Sequence, residues 1–313
     1  MFSIFDITIT CFASSYAVCL ALEASRLLFQ ARIRQLLVIG MAVAGLFAHS
    51  IYLVAALRDQ LAAGNVAPLS NWHDFCLLAA WVLVGAYLGL ALRRPQNNVG
   101  LFVLPPVLGL IGLAVLFQTV PSFPRNDALY VWRMIHGLML LVGTVAVTLG
   151  FTTGLMYLVQ AYRLKHKLLP RRGLRLPSLE WLQRFNGESL VVSTCSLAIG
   201  LVSGVVLNLL QRSAAAGVAW TDPVVISSAL LFTWLACMTT FESVYKPARQ
   251  GRKVAYLTMA SFLFLLLALG LVLTGQHASQ TSIQKSISKT ELESLSLSTA
   301  RPFSNDPGAG GGS

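Results

Sequence analysis

Eight continuous apolar stretches partition this chain, at roughly residues 5–25, 36–57, 75–92, 99–118, 134–160, 190–211, 224–245 and 254–275. A helix rises about 1.5 Å per residue, so about 20 apolar residues cross the ~30 Å hydrocarbon core of a bilayer. Within that core each segment must satisfy its own backbone N–H and C=O groups. Runs that are apolar throughout, rather than alternating, meet this demand as helices. The pattern therefore predicts an all-α, polytopic membrane bundle of eight transmembrane helices. A composition 56% hydrophobic and only 11% charged agrees with that class.

The charges orient the bundle. A net charge of +11 is large enough to suit nucleic acid, but its distribution points elsewhere. If the amino terminus lies outside, 16 basic residues fall on inner connections, among them Arg26, Arg32, Arg34, Arg93, Arg94, Arg163, Lys165, Arg171, Arg172, Lys246, Arg252 and Lys253. Only Arg58, Arg125, Arg133 and Arg212 fall on outer loops. Short loops rich in Lys and Arg remain cytoplasmic, so both termini are expected outside. The expected surroundings are the lipid bilayer of a bacterial inner membrane, with no nucleic-acid partner. Met1 to Asp6 carries no basic residue, so the first apolar stretch reads as a retained span and not a cleaved signal. Cys11, Cys19, Cys76, Cys195 and Cys237 all lie in apolar segments without a C-x-x-C pair, which argues for packing residues rather than a disulfide or zinc framework.

Residues 1–278 read as one transmembrane domain and 279–313 as a Ser/Gly-rich tail, too polar to bury a core and expected to be disordered. The inner connection at 161–189 is interrupted at Pro170 and Pro177. Beyond it Leu179, Leu182 and Phe185 recur every three residues, as in a short helix lying on the inner surface. Pro105 and Pro106 predict a kink in the fourth helix.

Few polar residues remain at membrane level. His136 opens the fifth span at its outer end and His277 follows the eighth, so both lie near the outer interface. Two neutral imidazoles at one height on different helices suit the axial positions of a haem iron. Interfacial polar residues with no shared ligand are the alternative. Gly143, Gly150 and Gly154 share the face of His136, and small residues mark the side on which a neighbouring helix approaches. His49 lies about 12 Å below the expected outer end of the second span, beside Ala42 and Gly45. It reads equally as a haem ligand, a propionate partner or a neutral histidine bonded to a carbonyl. His73, in an outer loop, and His166, in a basic inner segment, read as solvated. Trp72, Trp132 and Trp220 each occupy a different outer loop. They form either an interfacial belt or a platform for a porphyrin whose propionates pair with Arg125, Arg133 or Arg212. Glu23 and Glu242 lie near inner helix ends, within reach of the interface, and no hydrolase, P-loop or zinc-peptidase motif is present.

Several segments together resemble the membrane-bound cytochrome c assembly family (CcsA and CcmC type), in particular its HemX/YpjD-like branch. They are Met134-Ile135-His136 opening a Gly-rich helix, Arg163-Leu164-Lys165 after it, Leu176-Pro177-Ser178-Leu179-Glu180, Thr233-Trp234 and Gln250-Gly251-Arg252-Lys253. The resemblance covers roughly residues 1–278. It implies haem b as cofactor, with the family's outer haem-ligand pair on His136 and His277, and it sets His49 beside a second-helix histidine of the HemX/YpjD-like branch. Trp220, Trp132 and Arg133 then line the cofactor. Two departures narrow the expected activity. Of the family's tryptophan-rich W-W-D segment only Ala219-Trp220-Thr221-Asp222-Pro223 remains, and Glu242 stands where synthases carry a further histidine. The resemblance thus implies haem handling, delivery or cytochrome c maturation, with another membrane subunit of a cytochrome assembly or respiratory complex as a candidate partner, rather than catalysis of haem attachment. No catalytic residue is assigned. A HemX-like regulator of haem biosynthesis and a cofactor-free transporter are the competing readings.

Overall fold

The computed structural model describes residues 8–26, 32–62, 71–93, 97–119, 129–167, 174–212, 222–244, 255–267 and 270. Each apolar stretch of the sequence forms a helix: α1 (Ile9–Ser25), α2 (Arg32–Ala62), α3 (Trp72–Arg93), α4 (Gly100–Leu116), α5 (Tyr130–Lys165), α6 (Leu179–Arg212), α7 (Pro223–Val244) and α8 (Ala255–Leu267). A 3-10 turn, Phe117–Thr119, follows α4. No strand occurs among the described residues. Ile33–Ala62, Trp72–Arg93, Tyr130–Lys165 and Leu179–Leu210 are long and apolar enough to cross a membrane. Ile9–Ser25, Gly100–Leu116, Val225–Phe241 and Ala255–Leu267 are shorter apolar helices. The protein is a multi-pass membrane protein.

Two sets of four helices make up the unit spanning Met1–Leu269. In the first, α1 packs on α2, α2 on α3, α3 on α4 and α4 back on α1, closing a ring. Phe12, Tyr16, Cys19 and Glu23, spaced four, three and four residues apart, place one stripe of α1 inside it. Val38, Ala42 and His49 face them from α2, with Leu83, Val84 and Tyr87 from α3 and Val103, Leu104 and Val107 from α4. In the second set α5 and α6 share the most extensive interface of the fold, and α7 packs on α6. Phe151 of α5 stacks on Phe262 of α8 at 4.0 Å, and Trp234 of α7 lies 5.4 Å from Phe264. Helices α3 and α4 both touch α5, and the backbone N–H of Asn98 donates to the carbonyl of Arg175 at 2.8 Å.

Hydrophobicity does not sort the inside of this bundle from the outside. Leu36, Phe47 and Val54 of α2, and Val192, Ile199 and Val202 of α6, are as apolar as the core yet exposed. That is expected where the solvent is lipid, because association then depends on close packing and interhelical polar contacts. Glycines mark the closest approaches. A Cβ at Gly154 would come 2.8 Å from Thr258 Oγ1, and one at Gly45 would come 2.7 Å from Tyr16 Cε1. Cross-helix polar contacts include Trp81 Nε1 donating to Ser50 Oγ at 2.9 Å and the Thr194–Thr239 hydroxyl pair at 2.7 Å.

Two sequence expectations change. The segment from Leu179 is not a separate interfacial helix but the first turns of α6, which runs unbroken for 34 residues. Ser178 caps it, its hydroxyl accepting from the Trp181 N–H at 3.4 Å. The Arg184–Glu188 pair at 2.9 Å then bridges the expected junction, and Leu182 is buried against protein. Glu23 does not reach the interface. It is buried, held by Arg26 Nη1 at 3.2 Å and by the Tyr87 hydroxyl, which donates to it at 3.2 Å. Pro105 and Pro106 lie inside a helix that continues through both, with Pro105 on the exposed side. Pro170, His277, Trp220, Arg125, the side chains of Arg212 and Glu242, and the tail at 279–313 lie outside the described residues.

Candidate functional site

At the end of the second set where α5 begins, His136 sits six residues into that helix, about 9 Å along its axis. The glycine stripe of α5 faces protein as its spacing predicts: Gly143 approaches Ser196 and Leu197 of α6, and Gly150 approaches Asn186 and Ser189. His136 on that same side is half-buried against α6. Its Nδ1 lies 2.7 Å from the carbonyl oxygen of Gly200. A carbonyl only accepts, so Nδ1 carries the proton, and in the neutral ring Nε2 holds the free lone pair. Metal-ligating histidines are commonly arranged so, with the second ring nitrogen donating to a carbonyl that fixes tautomer and orientation. No hydrogen bond to Nε2 occurs among the described residues. The Ser203 hydroxyl donates to the same Gly200 carbonyl at 2.8 Å.

The neighbours of His136 on α5 add two further chemistries. Trp132 lies four residues earlier and Arg133 three, so both flank His136 on the side toward the start of α5. Trp132 is exposed and Arg133 half-buried. An aromatic plane and a cation thus stand beside an imidazole with a free nitrogen. That set suits a flat, anionic, metal-bearing ligand.

His49 belongs to the first set, and no described hydrogen bond or ring contact links it to His136. Its imidazole is fully buried, stacked 4.1 Å from Phe12 with the planes 3° apart. Nδ1 lies 3.3 Å from the Tyr16 hydroxyl, while Nε2 is buried without a partner. Of the three readings open from sequence, bonding to a backbone carbonyl is not what the structure has; the ring pairs with a tyrosine. Helix α2 extends to Ala62, while Phe12 lies three residues into α1, and Tyr52, one turn further along α2 than His49, bonds to the first turn of α3. His49 is therefore level with α1 and α3 roughly one turn, about 5 Å, inside their N-terminal ends.

His73 is not simply solvated. Its Nδ1 donates to the Ala114 carbonyl at 2.8 Å, and the Tyr52 hydroxyl lies 3.3 Å from Nε2. One side chain thus ties α3 to α4 and α2, with both nitrogens engaged. Beside it the Asn71 side chain accepts from the Asp74 N–H at 2.7 Å, and Gln60 donates to Asp74 at 2.6 Å. Trp72, expected in an outer loop, begins α3 and lies against Phe75 and Phe117. At the far end of α5 the His166 ring lies 4.3 Å from that of Tyr162, the two planes tilted by 45°.

The sequence reading missed the partners of these histidines. Tyr16 and Tyr52 sit at ordinary core spacing and gave no local signal. Gly200 and Gly204 did carry one, the G-x-x-x-G spacing that lets two membrane helices approach closely. Leu140 packs over the first glycine and His136 over the second.

The family described as Cytochrome C assembly protein matches residues 8–277, which includes all the described helices. No significant match was found among curated proteins or solved structures.

Proposed function

The chain belongs to the cytochrome c assembly protein family, and within its role in cytochrome c maturation we propose that this protein binds haem b near the outer face of the membrane. One observation carries the reading. The Gly200 carbonyl holds the His136 ring with Nδ1 protonated, which leaves Nε2 as a nitrogen able to ligate iron. Trp132 supplies an apolar plane and Arg133 a cation suited to a propionate. His277 would be the second residue to ligate the iron, and Trp220 would add a further aromatic plane for the porphyrin. His49 fits less well, since Phe12 covers one ring face in a fully buried core. A porphyrin would reach its free nitrogen only if α1 and α2 separated.

The chain's contribution is binding and orientation. His136 would ligate the haem iron through Nε2, and the tautomer set by Gly200 keeps that nitrogen free of a proton. The reading further includes eight spans with both termini outside, and a bacterial inner membrane. Placement in the HemX/YpjD-like branch rests on the second-helix position of His49.

Absorption spectroscopy of the full chain, purified after haem-replete expression, tests the proposal. A Soret band with a low-spin, six-coordinate spectrum is expected, lost in His136→Ala and in His277→Ala but retained in His166→Ala. A wild-type protein without a Soret band overturns it, and the cofactor-free transporter then leads. Loss of haem in His49→Ala alone would move the site into the first helix set.

A further inference from the structure

We propose that Gly204 is a positioning residue for His136: lacking a Cβ, it lets the imidazole lie on α6 and donate to the Gly200 carbonyl, which fixes Nε2 as the ligating nitrogen. The geometry is specific to the ring. A Cβ built at Gly204 would stand 2.9 Å from Cε1 and 3.0 Å from Nδ1 of His136, but 3.8 Å from Nε2. The edge carrying the proton therefore lies against the helix, and the ligating nitrogen is the one turned furthest from it. An imidazole is rigid, so a methyl at 204 cannot be met by a small torsional shift. The whole ring must shift away from α6, which lengthens and misaligns the 2.7 Å hydrogen bond to Gly200 that holds the tautomer. Once freed, the ring can exchange tautomers, and the form that carries its proton on Nε2 has no lone pair there to bind a metal.

Other glycines show that close packing alone does not account for this contact. Gly154 is equally crowded, with a Cβ there meeting Thr258 Oγ1 at 2.8 Å, yet it faces α8 and not an imidazole. The pair Gly154→Ala and Gly204→Ala thus delivers similar steric strain to two helix interfaces, only one of which holds His136. The importance of the contact for haem rests on the ligand role proposed for His136, whereas the tautomer can be measured without any metal.

The experiment uses full-length, haem-free protein in lipid vesicles, labelled with nitrogen-15 histidine. Solid-state NMR separates protonated from bare ring nitrogens, and the His136 signals are assigned by their loss in His136→Ala. Expected are a hydrogen-bonded Nδ1–H and a bare Nε2 for His136 in the wild type and in Gly154→Ala. In Gly204→Ala that signature should disappear, and haem titrated into the same sample should bind about 10- to 100-fold more weakly, the usual effect of removing the partner of a metal-ligating histidine. A protonated Nε2 in the wild type overturns the proposal, and this holds whether or not Gly204→Ala accumulates. Equal loss of haem affinity in Gly154→Ala and Gly204→Ala, with the His136 signals unchanged in both, also overturns it. If the tautomer behaves as expected but no variant, wild type included, binds haem, the positioning stands and the haem assignment falls.

Discussion

Replacing Asn186 by leucine should stabilise this protein. The side chain is fully buried in α6, and neither Oδ1 nor Nδ2 has a hydrogen-bond partner among the described residues. A buried donor or acceptor left unpaired costs about 1–3 kcal/mol, and Asn186 carries one of each. Its surroundings explain why nothing answers it. Oδ1 lies 3.5 Å from the position of a Cβ on Gly150, next to Ser189 Cβ and Thr258 Cγ2. The nearby hydroxyls of Ser193, Thr258 and Ser261 donate instead to carbonyls of their own helices. Leucine has nearly the shape of asparagine, but its two methyl groups are larger than the amide atoms, and fitting them offsets about 1 kcal/mol. The expected gain is about 1–5 kcal/mol. For a protein of this size that raises the unfolding midpoint by roughly 2–10 °C, taking about 2 °C per kcal/mol. Thermal unfolding in detergent, followed by fluorescence of the native tryptophans, would measure it. A midpoint lowered by several degrees would refute the reasoning, since it would mean that the amide is satisfied in the working protein.

Gly45→Ala should destabilise by about 1–3 kcal/mol, because the new methyl overlaps the fully buried Tyr16 ring; an unchanged midpoint would show that α1 and α2 can separate without loss. Tyr87→Phe removes the hydroxyl that donates to buried Glu23 and should cost about 1–3 kcal/mol by the same assay. No loss would show that Arg26 alone satisfies that carboxyl. Reporter fusions placed after Arg172 and after His277 should read as cytoplasm and exterior respectively. The same compartment for both would separate His277 from His136 and refute the expected topology.

Local pattern made most of the helices legible. The stretches expected at 75–92, 99–118 and 224–245 fall within two or three residues of α3, α4 and α7, because an apolar run bounded by basic or turn-forming residues leaves a membrane helix little choice of ends. The error at α6 has a physical cause. Asn186, Glu188 and Ser189 lower hydropathy without breaking a helix, so polarity was mistaken for a boundary that only proline or an unsatisfied backbone would impose.

The candidate site divides differently. The sequence by itself determined that His136 faces protein, through the glycines sharing its side of α5, and that Trp132 and Arg133 flank it, through helical spacing alone. Only the tertiary structure decided which nitrogen of His136 is free, because the Gly200 carbonyl that settles the tautomer comes from another helix, 64 residues away. The same holds for His49 and His73. One is stacked on Phe12 and bonded to Tyr16, the other shared between Tyr52 and Ala114, through contacts 21 to 41 residues apart in the chain. Periodicity tells which side of a helix a residue occupies. What waits for it there depends on how the helices pack, and in a bundle as apolar outside as inside hydrophobicity does not encode that packing; the shapes of Gly45, Gly154, Gly200 and Gly204 and of their partners do.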